Sequence, residues 1–581
     1  MNTNYKIIAL IISQLMNVYL NAQQLDQIGE KGGIKINGGI GLSNQIYASN
    51  GNTNISTPPY TYLLKGNLNI NVYGWNIPFS ISVTNRGYTT GQPSNIVGIS
   101  PSYKNLTMHA GIRNMTLSPY TLAGHTFTGG GIEYKLVNSG ITFKAMSGYL
   151  LRAVEYDPEK KKKTPTYARK AGGLMVDYQN DQDQLKVIVF YAIDDKKSIN
   201  SVPDSIRPRY NLNPQENMVY SIGFKKKISP KFSINGETAI SGWVENTNGY
   251  HVETNSGLAS DLLYLKNADK AQFYNALKFG GSYHFNVFSL GVDYERVEPE
   301  FRTLGAYNVV NDFKNIALNS STSFLKDKIQ LSGRFGVQRN DLNGQKATTG
   351  LRNVSSLNVS VNASERLNFS LNYSSFNSIT KVKPIEETYF ENEKDHYLDT
   401  ANFVQLSSSF NGNISYKISE NDNRSHTLSS SSSYQQANNK QNNQRFGSKM
   451  INQNVNYNLL LKNMGLSLGT FINGSYNEYD MGNSRYIGAG VSGSYAFLDK
   501  KVNVSLTINN SYNYEKRKHT ATLFGITNSY SYTPFKKHNI SLMLRYSGRH
   551  KKSNAAYSLY DNNIHEYFII LGYRYSFGKD I

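Results

Sequence analysis

Gly488-Ala489-Gly490-Val491-Ser492-Gly493 has the letter spacing of a dinucleotide-binding fingerprint. In that motif glycines let the backbone approach a pyrophosphate, and amides at a helix N-terminus receive it, so a strand–turn–helix setting is required. Here the six residues sit inside a run that alternates apolar and polar, where glycine more simply relieves crowding in a curved sheet. The ten histidines are scattered, and no His-Glu-x-x-His pair or metal-ligand cluster occurs. His251 with Glu253, and Asp395 with His396, are the nearest approaches to a cation site, and both read as solvated surface pairs. A hydrolase at a lipid boundary needs a Ser–His pair with a third group to orient the imidazole. Ser49-Asn50-Gly51 offers a serine with no histidine beside it. No catalytic, cofactor-binding or metal-ligating residue is assigned, and neither an enzyme nor a cofactor is expected.

The elements that would position any site are strands. Side chains at period two point to opposite faces of a sheet. Val502, Val504, Leu506 and Ile508 alternate with Asn503, Ser505, Thr507 and Asn509. Leu367 to Ser374 repeats the pattern, and Leu542 and Leu544 alternate with Ser541 and Arg545. The alternation runs from about Gly33 to Phe577. Apart from the first twenty or so residues, no apolar run reaches the ~20 residues a membrane helix needs. The low mean hydropathy of −0.49 does not oppose a membrane barrel, because only one face of each strand must be apolar. The 43 tyrosines suit aromatic girdles at headgroup level. With no cysteine, disulfides and thiolate metal sites are excluded. The net charge of +20 is dispersed, and its densest run, Lys160–Lys163, lies in a loop, so no nucleic-acid partner is expected. Cationic outer loops would instead meet the phosphates of lipopolysaccharide.

Residues 1–22 read as a signal peptide: Lys6, then the mostly apolar Ile7–Leu20, then Ala22 before the cut. Residues 23–32 form a short periplasmic segment, and 33–581 the barrel. Connections alternate short and long, as periplasmic turns and outer loops do. Short turns fall near Tyr73–Asn76, Tyr103–Asn105, Val137–Gly140, Asn180–Gln184, Lys227–Lys231, His284–Val287, Leu325–Lys328, Ala363–Arg366, Ser419–Ser425, Lys462–Gly465, Leu498–Lys501 and Thr533–Lys537. Long connections include Ser43–Pro59, Thr116–Thr126, Arg152–Arg169, Asp194–Glu216, Glu245–Lys270, Glu298–Asn311 and Asn377–Thr400. Their count gives an all-β, antiparallel, up-and-down transmembrane β-barrel of about 26 strands, within a range of 22 to 28, with both termini periplasmic. Ser425–Ser433 reads as a wet-faced strand despite its low complexity, and Ser260–Lys270 as a short loop helix.

The last strand carries the most specific local signal. Gly572, Tyr573, Tyr575 and Phe577 resemble the barrel-assembly signal of outer-membrane proteins: a glycine followed by alternating aromatics. Four residues follow the last aromatic, unlike members that end on it. With Asn21-Ala22-Gln23 at the cut site and Ser118–Phe127, the chain resembles uncharacterised outer-membrane barrels of the Bacteroidota type. Asp204-Ser205-Ile206 and Asp399-Thr400-Ala401 resemble that group's short O-glycosylation sites.

The alternation assigns Val502, Val504, Leu506, Ile508, Leu542 and Leu544 to lipid. It assigns Asn503, Ser505, Thr507, Asn509, Arg545 and Arg574 to the lumen. No segment is long enough for a separate plug domain of about 50 residues, so Thr116–Phe127 or Glu245–Lys270 folding inward, or a separate chain, would have to fill the ring. A lumen wall of mainly neutral Asn, Ser and Thr suits hydrophilic solutes. The expected function is a passive or gated porin-like channel in a Gram-negative outer membrane. The alternative is a non-enzymatic barrel subunit of a secretion or assembly complex, closed by a lumen-filling or periplasmic partner. Lipid, lipopolysaccharide and the barrel-assembly machinery are the other expected partners.

Overall fold

A single antiparallel sheet closes on itself. The computed structural model describes residues 34–50, 58–85, 95–158, 164–199, 202–203, 207–250, 264–307, 309–346, 348–382, 403–441, 444–480, 482–552 and 563–578. Residues 1–33, with the expected signal peptide, lie outside them, as do Lys160–Lys163, His251, Glu253, Asp395, His396 and both expected glycosylation sites. The described residues form 27 strand segments. Ile96–Ile99 and Ser102–Tyr103 share one place in the wall, both lying between Trp75–Thr84 and Leu106–Asn114. The ring therefore has 26 staves, the number expected from the turns. It is sealed where Ile34–Ser49 pairs with the last strand, Ile564–Phe577, from Gly38↔Phe577 to Ser49↔Glu566.

Each stave pairs with its sequence neighbours, across short turns and long connections alike, and the first pairs with the last. All twelve expected short turns lie at one end of the ring, which is also where the first strand begins and the last one ends. Leu325-Lys326-Asp327 and Leu498-Asp499-Lys500 turn through three consecutive left-handed residues, and both follow a phenylalanine and precede a lysine. At the other end Lys516-Arg517, φ 47° and 65°, forms a two-residue hairpin turn. Such primed turns match the right-handed strand twist.

Three expectations about connections change. Ile34–Ser49 and Leu367–Val382 run further than the sequence suggested, so the loops begin after Ser49 and Val382 rather than at Ser43 and Asn377. Strand pairing across Gln45↔Ile570 and Ser378↔Gln405 outweighs the polar composition there. Of Ser260–Lys270, the described part forms only a 3₁₀ turn, Ala268–Lys270. Ser425–Ser433 does lie within a strand, Arg424–Gln441. Among the described residues no helix is long and apolar enough to cross a membrane, which bears only on helices.

Wall height is uneven. Phe403–Glu420, Arg424–Gln441 and Gln444–Leu461 have 18 residues each, whereas Trp75–Thr84 has 10 and Leu106–Asn114 has 9. On the short side, Gly98, Gly111, Gly129 and Gly148 stand in register on four adjacent staves. A Cβ on Gly129 would lie 2.6 Å from the Gly148 Cα, and one on Gly111 2.9 Å from the Gly98 Cα. Along this row the adjacent backbones leave no room for a side chain on that face. Gly129→Val is expected to abolish the heat-modifiable compact band of the folded barrel on semi-native gels. Gly223→Ala, whose Cβ meets nothing nearer than 3.6 Å, should retain it.

Candidate functional site

The two faces of the ring differ. Register places Leu468, Gly493, Leu506, Asn528, Leu544, Ile569 and Ile46 in one row across seven staves. This face is well exposed, with Leu506 at 41% and Leu544 at 39%. Val502, Val504, Ile508 and Leu542 share it. Asn528 interrupts it and donates to the Tyr530 hydroxyl, 2.8 Å. Asn503, Ser505, Thr507, Asn509, Arg545 and Arg574 fall on the opposite face. Arg545 lies over the Phe568 ring, 5.6 Å to its centroid, and Arg574 is in register with Asn539. In the last strand Tyr573 accepts or donates at 2.8 Å to His538 Nδ1, and Tyr575 meets Phe577 edge-on at 4.6 Å. Gly572 faces the Ser541 hydroxyl, 2.5 Å from where a Cβ would sit. Gly488–Gly493 runs mid-strand with no helix after it, and a Cβ on Gly490 would overlap the Phe471 ring, so its glycines make room in the sheet rather than cradle phosphate.

Two long connections fold back onto the opposite face of the short wall. In the first, Met115, Leu117, Tyr120 and Leu122 are all buried, against Phe127, Met146, Met175, Ile188 and Phe190. Ser118-Pro119-Tyr120-Thr121 is a tight turn, with Thr121 N–H donating to Ser118 O at 3.2 Å and Leu117 N–H to Leu122 O at 2.9 Å. Glycines seat it: a Cβ on Gly131 would press on Met115 Cε, and one on Gly173 on Leu117 Cδ1, each at 2.9 Å. The second connection, around Phe301–Gly305, lies across the first. Thr303 Oγ1 donates to Thr121 O at 2.6 Å and Ala123 N–H to Gly305 O at 3.0 Å.

Asn217 ties the second connection to the wall. Its Oδ1 accepts from Leu304 N–H at 3.1 Å, while Nδ2 donates to Ser241 Oγ at 2.8 Å and Gly242 O at 2.9 Å. Ser241 Oγ donates to Arg302 O at 2.6 Å. Tyr120 completes the set by donating to Glu295 at 2.6 Å. Burial, and then the Glu295 carboxylate, push the Tyr120 phenol upward and keep it protonated. His125 stacks on Tyr307 at 4.1 Å, and burial holds its imidazole below the usual range, with Arg169 adding to that.

Of the two connections expected to fold inward, Thr116–Phe127 thus packs on the face carrying Asn503 and Thr507. Glu245–Lys270 does not, as far as it is described. Leu265 and Ala271 instead cover Met218, Val244 and Phe273 on the exposed apolar face. Buried Glu216 anchors this turn, accepting from the N–H groups of Lys266 at 2.7 Å and Asn267 at 3.1 Å and from Tyr191 OH at 2.8 Å. Sequence reading missed Asn217 and Phe301–Gly305. The available signal was Phe301 and Leu304, two large apolar residues in a connection expected to be wet.

The opposite face is also less uniform than expected. The neutral wall occupies the tall side, where Ser370, Asn413, Ser431, Asn454, Asn473, Gly488 and Ser511 form one row. A shallow recess of ≈ 420 Å³ opens there among Asn411, Ser433, Asn452 and Tyr486. On the short side, below the folded-in connections, charges alternate in sign. Glu133 pairs with Lys144 at 2.9 Å and His109 at 3.2 Å, Lys186 is in register with Asp177, and Lys278 with both Glu237 and Glu295. The alternation expected of strands decides which face a residue takes, but not which stave carries charge.

Asn217→Ala should loosen the second connection by about 1–3 kcal/mol, the range for leaving buried polar partners unmatched. Trp243 lies in the same apolar cluster, so in a Trp75→Phe background its emission should shift to the red. The docked state favours neutral His125, whose pKa is depressed on docking. Docking is therefore expected to be strongest above the undocked value of about 6.5 and to weaken as pH falls through it. The same Trp243 emission, followed from pH 8 to pH 5, should shift red, and less so in His125→Phe.

No protein-family model and no curated protein matches the sequence. Among solved structures the chain is similar to the P pilus usher (PapC) translocation pore, at 11% identity over 94% of this chain and 99% of that one, TM-score 0.35. It is likewise similar to BauA, the ferric preacinetobactin receptor from Acinetobacter baumannii, at 10% identity over 93% of this chain and 81% of that one, TM-score 0.35. OpdQ of Pseudomonas aeruginosa is similar at 11% identity over 93% and 98%, TM-score 0.25. At these scores the likenesses assign no function.

Proposed function

We propose that this protein is a non-enzymatic outer-membrane channel for neutral hydrophilic solutes, narrowed by its own two folded-back connections. The exposed apolar face meets lipid and the opposite face lines the lumen. The end bearing the short turns and both barrel termini is periplasmic, and residues 1–22 are the export signal. Gly572, Tyr573, Tyr575 and Phe577 present the last strand to the assembly machinery, and the basic outer loops meet lipopolysaccharide.

The observation that carries this reading is a closed ring of 26 staves with a neutral Asn/Ser wall on one side and a covered wall on the other. At ~4.8 Å between strands tilted by about 40°, the backbone ring is roughly 50 Å across. Two connections of a dozen or so residues narrow such a ring, and among the described residues none covers the Asn/Ser side. Neutral amides and hydroxyls exchange hydrogen bonds with a sugar or peptide without holding an ion.

The purified protein should give large, steady openings in planar bilayers, and replacing Ser118–Leu122 with a short glycine linker should enlarge them. A silent barrel that co-purifies in mild detergent with other envelope proteins would instead favour the secretion or assembly role. The facing is tested by a pair of substitutions. Leu506→Arg should weaken insertion by about 2–4 kcal/mol at the bilayer midplane, whereas Thr507→Arg should fold normally and alter only ion selectivity. Equal damage from both would reject the assignment.

A further inference from the structure

The broken stave is the weakest line in the wall. Ile96–Ile99 has four register pairs with Trp75–Thr84 and Ser102–Tyr103 has two. On the other side each segment has two with Leu106–Asn114. Every other adjoining pair of staves has nine or more, nine occurring for Ala276–His284, Leu106–Asn114 and Thr128–Leu136 with their partners. Two prolines at the same height remove ladder donors. Pro78 lies in Trp75–Thr84 and Pro101 in the break, and each is left to accept, from Ser100 N–H at 2.9 Å and Met108 N–H at 2.8 Å.

Side chains do little to close this line from the lumen side. The in-register row there is Ser80, Gly98, Gly111, Gly129 and Gly148. Few side chains bridge it: Ser100 Oγ bonds His109 Nδ1 at 2.9 Å and Ser102 Oγ donates to Asn76 O at 3.3 Å. Arg113 reaches over Gly98 and donates from Nη1 to Ser80 Oγ at 2.8 Å and from Nη2 to Pro78 O at 3.4 Å. A row without side chains, an interrupted ladder and three small polar straps therefore coincide on three neighbouring staves. Just beyond, on the same face, lie Phe127, Met146 and Leu150 of the apolar cluster.

We propose that the wall parts laterally along this stave, between Trp75–Thr84 and Leu106–Asn114, and admits acyl tails of membrane amphiphiles between bilayer and lumen. This rests on the lipid and lumen assignment made above. Hydrophilic solutes would take the axial path, while an amphiphile could keep its tail in the bilayer and its head in the lumen.

A reporter on the lumen face tests it. Ile96, in register with Ser82, lies on that face and is 39% exposed. In a background lacking both native tryptophans, Trp75→Phe with Trp243→Phe, Ile96→Trp is placed in liposomes of phospholipid brominated on its chains, with Ser82→Trp as a second reporter and Ser494→Trp as a control on the tall wall. The cysteine-free chain also allows Ile81→Cys with Val97→Cys, which are register partners, to lock the stave by a reducible disulfide. Reporters at 96 and 82 should be quenched when the lock is reduced and relieved when it is oxidised, with 494 unquenched in both. Reporters at 96 and 82 that match the unquenched control in reduced protein would overturn the lateral opening and leave the channel standing. Quenching at 494 would overturn the face assignment itself.

Discussion

Everything in this molecule depends on closing the ladder. In hydrocarbon an unpaired backbone amide or carbonyl costs several kcal/mol, and only a ring leaves no strand edge. The seal between the first and last strands, from Gly38↔Phe577 to Ser49↔Glu566, is therefore a condition for the other staves to persist. Closure also imposes curvature, and curvature crowds one face. Along the row from Gly98 to Gly148 the neighbouring backbones leave no room for a Cβ. This row appears on the wall whose strands are shortest and whose ladder is interrupted.

Closure fixes the ring but not what fills it. With 26 staves the interior exceeds what wall side chains can span, so the chain must either leave a hole or fold segments into it. It does some of each. The short wall carries apolar residues on its inner parity, and Met115–Leu122 and Phe301–Gly305 are buried on them. The tall wall carries asparagine and serine, whose row from Ser370 to Ser511 is covered by no connection among the described residues. The two walls thus differ: one is covered by folded-in connections, and the other presents a row of amides and hydroxyls.

The architecture was legible because strand alternation and turn chemistry are local. The sequence around Leu506 and Thr507 names both faces, and twelve turns rich in Gly, Asn, Asp and Lys set the stave number. Loop packing was only partly legible. The need to fill a wide ring named Thr116–Phe127 and Glu245–Lys270 alike as connections that could fold inward, and nothing local distinguishes them. Leu265 of the second turns to the other face because Glu216 captures the amides of Lys266 and Asn267. Asn217 was illegible for the same reason. Its role depends on Leu304, which is distant in sequence and reaches it only when the ring is built. The charged lumen of the short side was missed because the clearest alternating segments all come from the tall side.

The central claim is that one face of this ring is lipid and the other water. Because the chain has no cysteine, single cysteines can be placed from Val502 to Asn509 in the intact outer membrane and exposed to a membrane-impermeant maleimide. Labelling at 503, 505, 507 and 509 with protection at 502, 504, 506 and 508 is the expected result. Uniform labelling, or the reverse alternation, would contradict the account.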